Sequence, residues 1–328
     1  MQSDESAAMK VTLDLTRLLE EGKINQAEFD KFGALSAQDT GSLAFNILIG
    51  FGVAAVSLGA VALVPEPLTA AIVGAAVFAF GLVLVFARAE QWALLAQICL
   101  CVGALVFAGG IVAMDEGSLR ALLVVTAVFT AASIVARSGL LMVGAVLALA
   151  SCLGASTGYW HATYELSITE PTLTIVLFGL LALAAYHLSK QLNSDFERLA
   201  LMAARTSVLL VNFGFWIGSL WGDRLILVRS FWDIFAAADA YSAPVVLPPW
   251  LFSGGWALAL IGAGVWATRS GRRWVVNVAA VFGAIHFYTQ WFDRLGPTPL
   301  SFLLGGLLML AFALGLWTFN RRSEAVPK

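Results

Sequence analysis

After residue 42 the chain settles into one pattern, in which apolar runs of about 20 residues are separated by short breaks rich in charge and proline. A hydrocarbon core about 30 Å thick needs roughly 20 apolar residues in helical form, so each run is the size of one crossing. Ten windows fit, at 43–64, 68–87, 91–113, 118–136, 139–158, 171–188, 206–222, 250–268, 274–292 and 299–319. The pattern predicts an all-α integral membrane protein of about ten transmembrane helices, a bundle over 43–319 with a short tail at 320–328. One apolar segment does not fit, "LILVRSFWDIFAAADAY" at 225–241, which holds Arg229, Asp233 and Asp239. Each ionisable side chain near the bilayer centre costs about 2.5–3.5 kcal/mol. It is therefore expected to lie in the outer interface or to pack on top of the bundle.

Residues 1–42 follow another rule. Leu13, Leu15, Leu18 and Leu19 fall largely on one side of a helix, Gly22 supplies a stop, and Asn25 followed by Glu28 matches an N-cap with its reciprocal acid. These signals predict a short helical hairpin over 11–35 with an apolar seam of Leu15, Leu18, Leu19, Ile24, Phe29 and Phe32. So few residues bury too little surface to fold alone, so the seam is expected to dock on a protein partner or on a second copy. No apolar stretch that could serve as a cleavable signal lies in this segment, which leaves targeting to the first membrane helix.

Composition and charge sharpen the reading. The chain is 60% hydrophobic and 12% charged, against about 45–50% and 25% in soluble domains. With both termini in the cytoplasm, 15 of the 19 Lys and Arg lie on the cytoplasmic side, and Arg120, Arg224, Arg229 and Arg294 lie outside. One helix more or fewer would put Arg269, Arg272 and Arg273 on the wrong side. Membrane lipids are the expected surroundings. Nucleic acid is excluded as a partner, because the basic residues are scattered and the net charge is −2.

The N-terminal pattern of Leu15, Leu18 or Leu19, Gly22, Ile24, Glu28 and Phe29 resembles the short C-terminal domain, a helical-hairpin module linked to oligomerisation. The polar hairpin, the first helix "FNILIGFGVAAVSLGAVALV", the stretch "AQICLCVGALVFAGGI" and the last block "RLGPTPLSFLLGGLLMLAFALGLWTFNRR" together resemble a family of predicted multi-pass bacterial inner-membrane proteins with no assigned activity. The resemblance implies a compartment and self-association, and no chemistry.

Little catalytic machinery is visible. The chain has no H-E-x-x-H, G-x-S-x-G, Walker A or CxxC pattern, and no Asp, Glu, Lys or Arg sits well inside a window. No catalytic residue, cofactor or metal site is expected. Cys99, Cys101 and Cys152 read as apolar fillers within helices. The outer acids Glu165, Glu170, Asp223 and Asp233 carry no second motif. Three polar or small constellations remain. His286, Thr289, Gln290 and Asp293 form one stripe descending from the outer end of the ninth helix, either a small pocket with a titratable imidazole or a clasp for the loop "LGPTPL". Asn46, Gln97, Asn212 and Asn277 are either interhelical hydrogen-bond partners or the lining of a central cavity. Gly214, Gly218 and Gly222 form a strip for close helix approach, and Ser194 with Glu197 matches a capping box ahead of it. Two functional classes follow. One is a non-enzymatic assembly or regulatory protein that docks partners through the hairpin. The other is a small-solute transporter built from inverted five-helix halves, 43–158 and 171–319. A polar cavity would favour transport and a closed core the scaffold.

Overall fold

The computed structural model describes residues 18–19, 22–87, 92–160, 163–225 and 245–324. Each of the ten apolar windows holds a helix: α1 Gln26–Leu63, α2 Pro67–Phe86, α3 Ala93–Met114, α4 Leu119–Val135, α5 Gly139–Ser151, α6 Pro171–Ser189, α7 Ser194–Trp221, α8 Pro249–Arg269, α9 Arg273–Leu295 and α10 Pro299–Glu324. Among the described residues α2, α3, α6, α7, α8 and α9 are long and apolar enough to cross a membrane, and the chain is a membrane-embedded helical protein. The expected segment 225–241 lies outside the described residues, apart from Leu225.

Packing divides the chain into two units, residues 1–116 and 117–328. The five-helix halves 43–158 and 171–319 are thus not the packing units, since α5 packs with α7 inside the second unit.

In the first unit the N-terminal stop and cap form as the sequence reads. Gly22 takes φ +67, Lys23 N–H donates to the Leu18 carbonyl at 2.9 Å, and Gly22 N–H donates to the Leu19 carbonyl at 3.0 Å. Asn25 Oδ1 accepts from Glu28 N–H at 2.8 Å and Glu28 Oε2 accepts from Asn25 N–H at 2.9 Å. The expectation of a compact hairpin ending near residue 35 then fails. The second arm does not stop after Phe32 but continues through "GALSAQDTGS" as the same helix, 38 residues long. Two glycines cost about 1 kcal/mol each in a helix interior, whereas only proline would have forced a break, and the segment has none. At about 1.5 Å per residue α1 rises roughly 57 Å, nearly twice a hydrocarbon core.

α2 and α3 pack antiparallel, backbone to backbone. A Cβ at Gly74 would fall 2.2 Å from Phe107 N, one at Gly103 2.4 Å from Phe78 N, and one at Gly110 2.4 Å from Ala71 N. Gly74 and Gly81 on α2, and Gly103 and Gly110 on α3, are each seven residues apart, so one side of each helix is bare along its length.

The second unit is built around α7, half of whose membrane window is buried. Ala203, Ala204 and Leu210 of α7 meet Phe178 and Ala185 of α6 and Val146 and Ala150 of α5 in one apolar core. Small residues let the neighbours approach, and dispersion contacts supply the attraction that lipid, itself apolar, does not. Hydroxyls in these helices bond their own preceding turns, as Ser207 does to the Ala203 carbonyl and Thr206 to the Met202 carbonyl. These hydroxyl donors are thus met within their own helix in a dry environment, whereas the Thr172 and Thr174 hydroxyls of α6 are buried without a hydrogen-bond partner among the described residues.

Two further expectations are corrected here. The fifth window, read as 139–158, is helical only to Ser151; β1 Ala155–Trp160 and β2 Thr163–Ile168 follow as an antiparallel pair, with Ala155 opposite Ile168 and Trp160 opposite Thr163. Gly154 takes φ +78 to make the corner, and Thr169 Oγ1 donates to its carbonyl at 3.2 Å. Thr157, Tyr159, Trp160, Thr163 and Tyr164 then favour strand over helix. The Ser194–Glu197 capping box does not form either. Asn193 is the N-cap and makes no side-chain cap bond, and Ser194 is already inside the helix.

The basic loops of this unit meet at one end. Arg198 donates to the Arg137 carbonyl at 2.8 Å, Lys190 and Arg272 both lie over the Tyr186 ring at 4.6 and 5.7 Å, and Arg205 lies over Trp274 at 5.4 Å. At the opposite end Asp223, 3% exposed, accepts from Thr172 N–H at 2.8 Å and from Leu225 N–H at 3.0 Å. Its carboxylate caps α6 by accepting from the free N–H of Thr172, which the N-cap residue Glu170 leaves without a side-chain acceptor. Leu247 closes over it through two backbone bonds with Asp223 of 3.0 and 2.8 Å.

Candidate functional site

The polar stripe of α9 is divided among separate neighbours. Thr289 is a clasp: its hydroxyl accepts from Trp216 Nε1 of α7 at 3.0 Å and donates to the Ile285 carbonyl at 2.8 Å. His286 lies edge-on to Trp256 of α8, ring centres 4.9 Å apart at 72°. Gln290 Nε2 and His286 Nδ1 are buried without a protein partner among the described residues. Asp293 is exposed at the helix end and joins none of them. Nor does the stripe fasten the loop "LGPTPL". That is done by Ser301, whose hydroxyl donates to the Gly296 carbonyl and accepts from Thr298 N–H, and by Trp291, whose Nε1 donates to the Ser301 carbonyl.

The four amides do not share a surface either. Asn46 has its side chain outside the described residues, and Gln97 is half-buried on α3 of the first unit. In the second unit Asn277 is exposed, while Asn212 is buried with a hydrogen bond at each end of its amide. Its Nδ2 donates to the Val208 carbonyl at 2.8 Å and its Oδ1 accepts from Trp256 Nε1 at 3.0 Å. Trp256 is completely buried, with Phe282 and His286 against it. No sequence signal pointed to it, since its partner is 44 residues away and hydrogen bonding leaves no periodicity.

The glycine strip is filled from within the protein. A Cβ at Gly214 would touch Ile175 at 3.0 Å on α6, one at Gly218 would enter the Phe252 ring of α8 at 2.5 Å, and Gly222, at φ +72, closes α7. The strip therefore serves two internal neighbours. Of the acids, Asp223 is the cap described above, Glu170 is 1% exposed, and Asp233 and the Glu165 side chain lie outside the described residues.

What the sequence did not reveal is an apolar groove of about 700 Å³ between α8, α9 and α10. Ala257 and Gly264 on α8, Ala279 and Gly283 on α9 and Leu308 on α10 line it, and Thr268 and His286 are its polar side chains. Its volume lies within the roughly 300–1,000 Å³ of small-molecule sites. It exists because residues facing each other across α8 and α9 are small, a signal present in the sequence at the spacing 257, 264 and 279, 283.

Among the described residues no three His, Cys, Asp or Glu side chains are placed to hold a metal ion, and Cys99, Cys101 and Cys152 are unpaired thiols. What the geometry offers is a closed polar interior, an apolar groove and a basic end. No family model, curated protein or solved structure matches this chain.

Proposed function

We propose that this chain is a non-enzymatic assembly or regulatory protein of the bacterial inner membrane, with both termini in the cytoplasm, and that it docks a partner through its N-terminal arm. The observation that carries the reading is the continuity of α1. A capped, polar arm holding Phe29 and the exposed Phe32 is the same helix that enters the membrane, so whatever binds the arm is mechanically joined to the membrane part. Leu18, Leu19 and Ile24 are half-buried beside the Gly22 stop, while Leu15 lies outside the described residues. The clustering of basic residues at one end of the second unit supports that orientation, because basic loops favour the cytoplasmic side. The closed Asn212–Trp256 pair favours this reading over solute transport, which needs a polar path through the bundle.

The test places a photoreactive amino acid at Phe32 of the full chain in cells. Discrete protein adducts, lost when Phe29 is changed to Asp, are expected; identical adducts would support self-association and different ones a partner. A ladder of unspecific products, unchanged by Phe29→Asp, would remove the docking reading.

A further inference from the structure

We propose that the groove between α8 and α9 is a binding site for one anionic phospholipid, with an acyl chain in the groove and its phosphate at Arg269 and Arg273. Three observations meet here. The first is shape. On α9 the lining runs Val276, Ala279, Gly283 and His286, one face of the helix, with rows of small residues leaving a channel rather than a flat surface. From Val276 to Phe287 the channel rises roughly 16 Å at about 1.5 Å per residue, close to half of an about 30 Å hydrocarbon core, which is the depth of one leaflet.

The second is charge. Continuing the same faces by one turn, Val265 of α8 leads to Arg269 and Val276 of α9 leads to Arg272 and Arg273. The apolar channel thus opens at its end onto three guanidinium groups in a stretch of five residues. Arg272 is held over Tyr186, while Arg269 and Arg273 are exposed. A guanidinium fork binds phosphate through paired N–H donors, and basic pockets between membrane helices on the cytoplasmic side are suited to anionic headgroups.

The third is that the surroundings settle the occupant. The groove wall facing outward is Ile261 and Val265, 64% and 46% exposed, so within this unit the channel opens sideways, towards the bilayer. A water-soluble anion would match the arginines and leave the channel empty. A zwitterionic lipid would fill the channel and gain less from the arginines. An anionic phospholipid satisfies both halves.

The experiment uses the full chain in nanodiscs with phosphatidylglycerol or phosphatidylcholine carrying a photoreactive acyl chain, and maps the labelled peptides. Wild type is expected to be labelled between Ala257 and Phe287, with phosphatidylglycerol favoured. Arg269→Gln and Arg273→Gln should each cut that preference by roughly fivefold while leaving phosphatidylcholine labelling in place. Gly283→Leu should abolish groove labelling by both lipids; an added Cβ there meets nothing within 4 Å, so the change fills the channel without a backbone clash. Equal labelling by the two lipids in wild type, or groove labelling unaffected by Gly283→Leu, would overturn the proposal. So would disulfide-linked dimers from Gly283→Cys in place of lipid adducts, since a second copy would then occupy the groove. If Gly283→Leu fails to fold, the two arginine variants decide alone, because both positions are on the surface.

Discussion

At the residue scale the second unit holds two tryptophan indole donors that are answered by side chains of a neighbouring helix. Asn212 and Trp256 are the clearest case, because the Asn212 carbonyl oxygen meets the Trp256 indole N–H at 3.0 Å and both residues are buried. Asn212→Leu should therefore cost roughly 0.6–2 kcal/mol in thermal unfolding in detergent, the range found for interhelical hydrogen bonds. Trp256→Phe added to it should recover part of that loss, since the orphaned indole donor goes with it. Losses that add, so that the double variant loses the sum of Asn212→Leu and Trp256→Phe alone, would mean that the hydrogen bond contributes nothing. Hydrogen-bond glue was one of the two readings the sequence offered for Asn212. The partner was not legible, because a contact across 44 residues is fixed by how α7 and α8 pack and not by local pattern. The same limit applies to Thr289, whose spacing suggested a shared pocket with His286 and Gln290, while Trp216 of α7 in fact claims it.

At the element scale apolar run length located the helices well, and their ends poorly. A run of hydrophobic residues says that a segment is in lipid, but the change from helix to strand after Ser151 depends on a single left-handed glycine and on strand-forming side chains that are themselves apolar. Gly154→Ala tests that corner. A non-glycine residue at φ +78 carries a penalty of about 1–2 kcal/mol, and the added Cβ would press on the Thr169 side chain. Faster proteolysis within 155–168 is expected, with α6 and α7 unaffected. The seven-residue glycine spacing of α2 and α3 was in the sequence all along, yet only the structure shows that the bare faces meet. Gly103→Ala should destabilise the first unit by about 1–3 kcal/mol, the usual cost of overpacking, because its Cβ meets backbone rather than a movable side chain. Gly109→Ala, six residues along α3 and open within 4 Å, should be neutral or slightly stabilising through helix propensity. If the two variants melt alike, the α2–α3 contact is looser than described.

For the whole molecule the question is how many of the ten helices complete a crossing, and α5 is the weakest. Its 13 residues rise roughly 20 Å, short of an about 30 Å core. The structure nevertheless puts the α4–α5 turn and the start of α7 at one end through the Arg198–Arg137 bond, and Asp223 caps α6 at the other. Between those points the chain must travel from the basic end and return, and α6 supplies the return. The outward leg is α5, and the antiparallel β1–β2 hairpin then returns to its own base, with Ala155 opposite Ile168, before α6 begins. If α5 did not complete the crossing, every later loop would change sides, and Arg269, Arg272 and Arg273 would face outward against the charge bias. Single cysteines in a chain lacking its own three decide between these paths. Glu116→Cys, in the α3–α4 turn, should react with a membrane-impermeant maleimide in intact spheroplasts, whereas Gly271→Cys, in the α8–α9 turn, should react only after the membrane is opened. Labelling of both from outside would leave an even number of crossings between residues 117 and 270 in place of the five of the ten-helix path, sink that path, and move the proposed lipid headgroup to the outer leaflet.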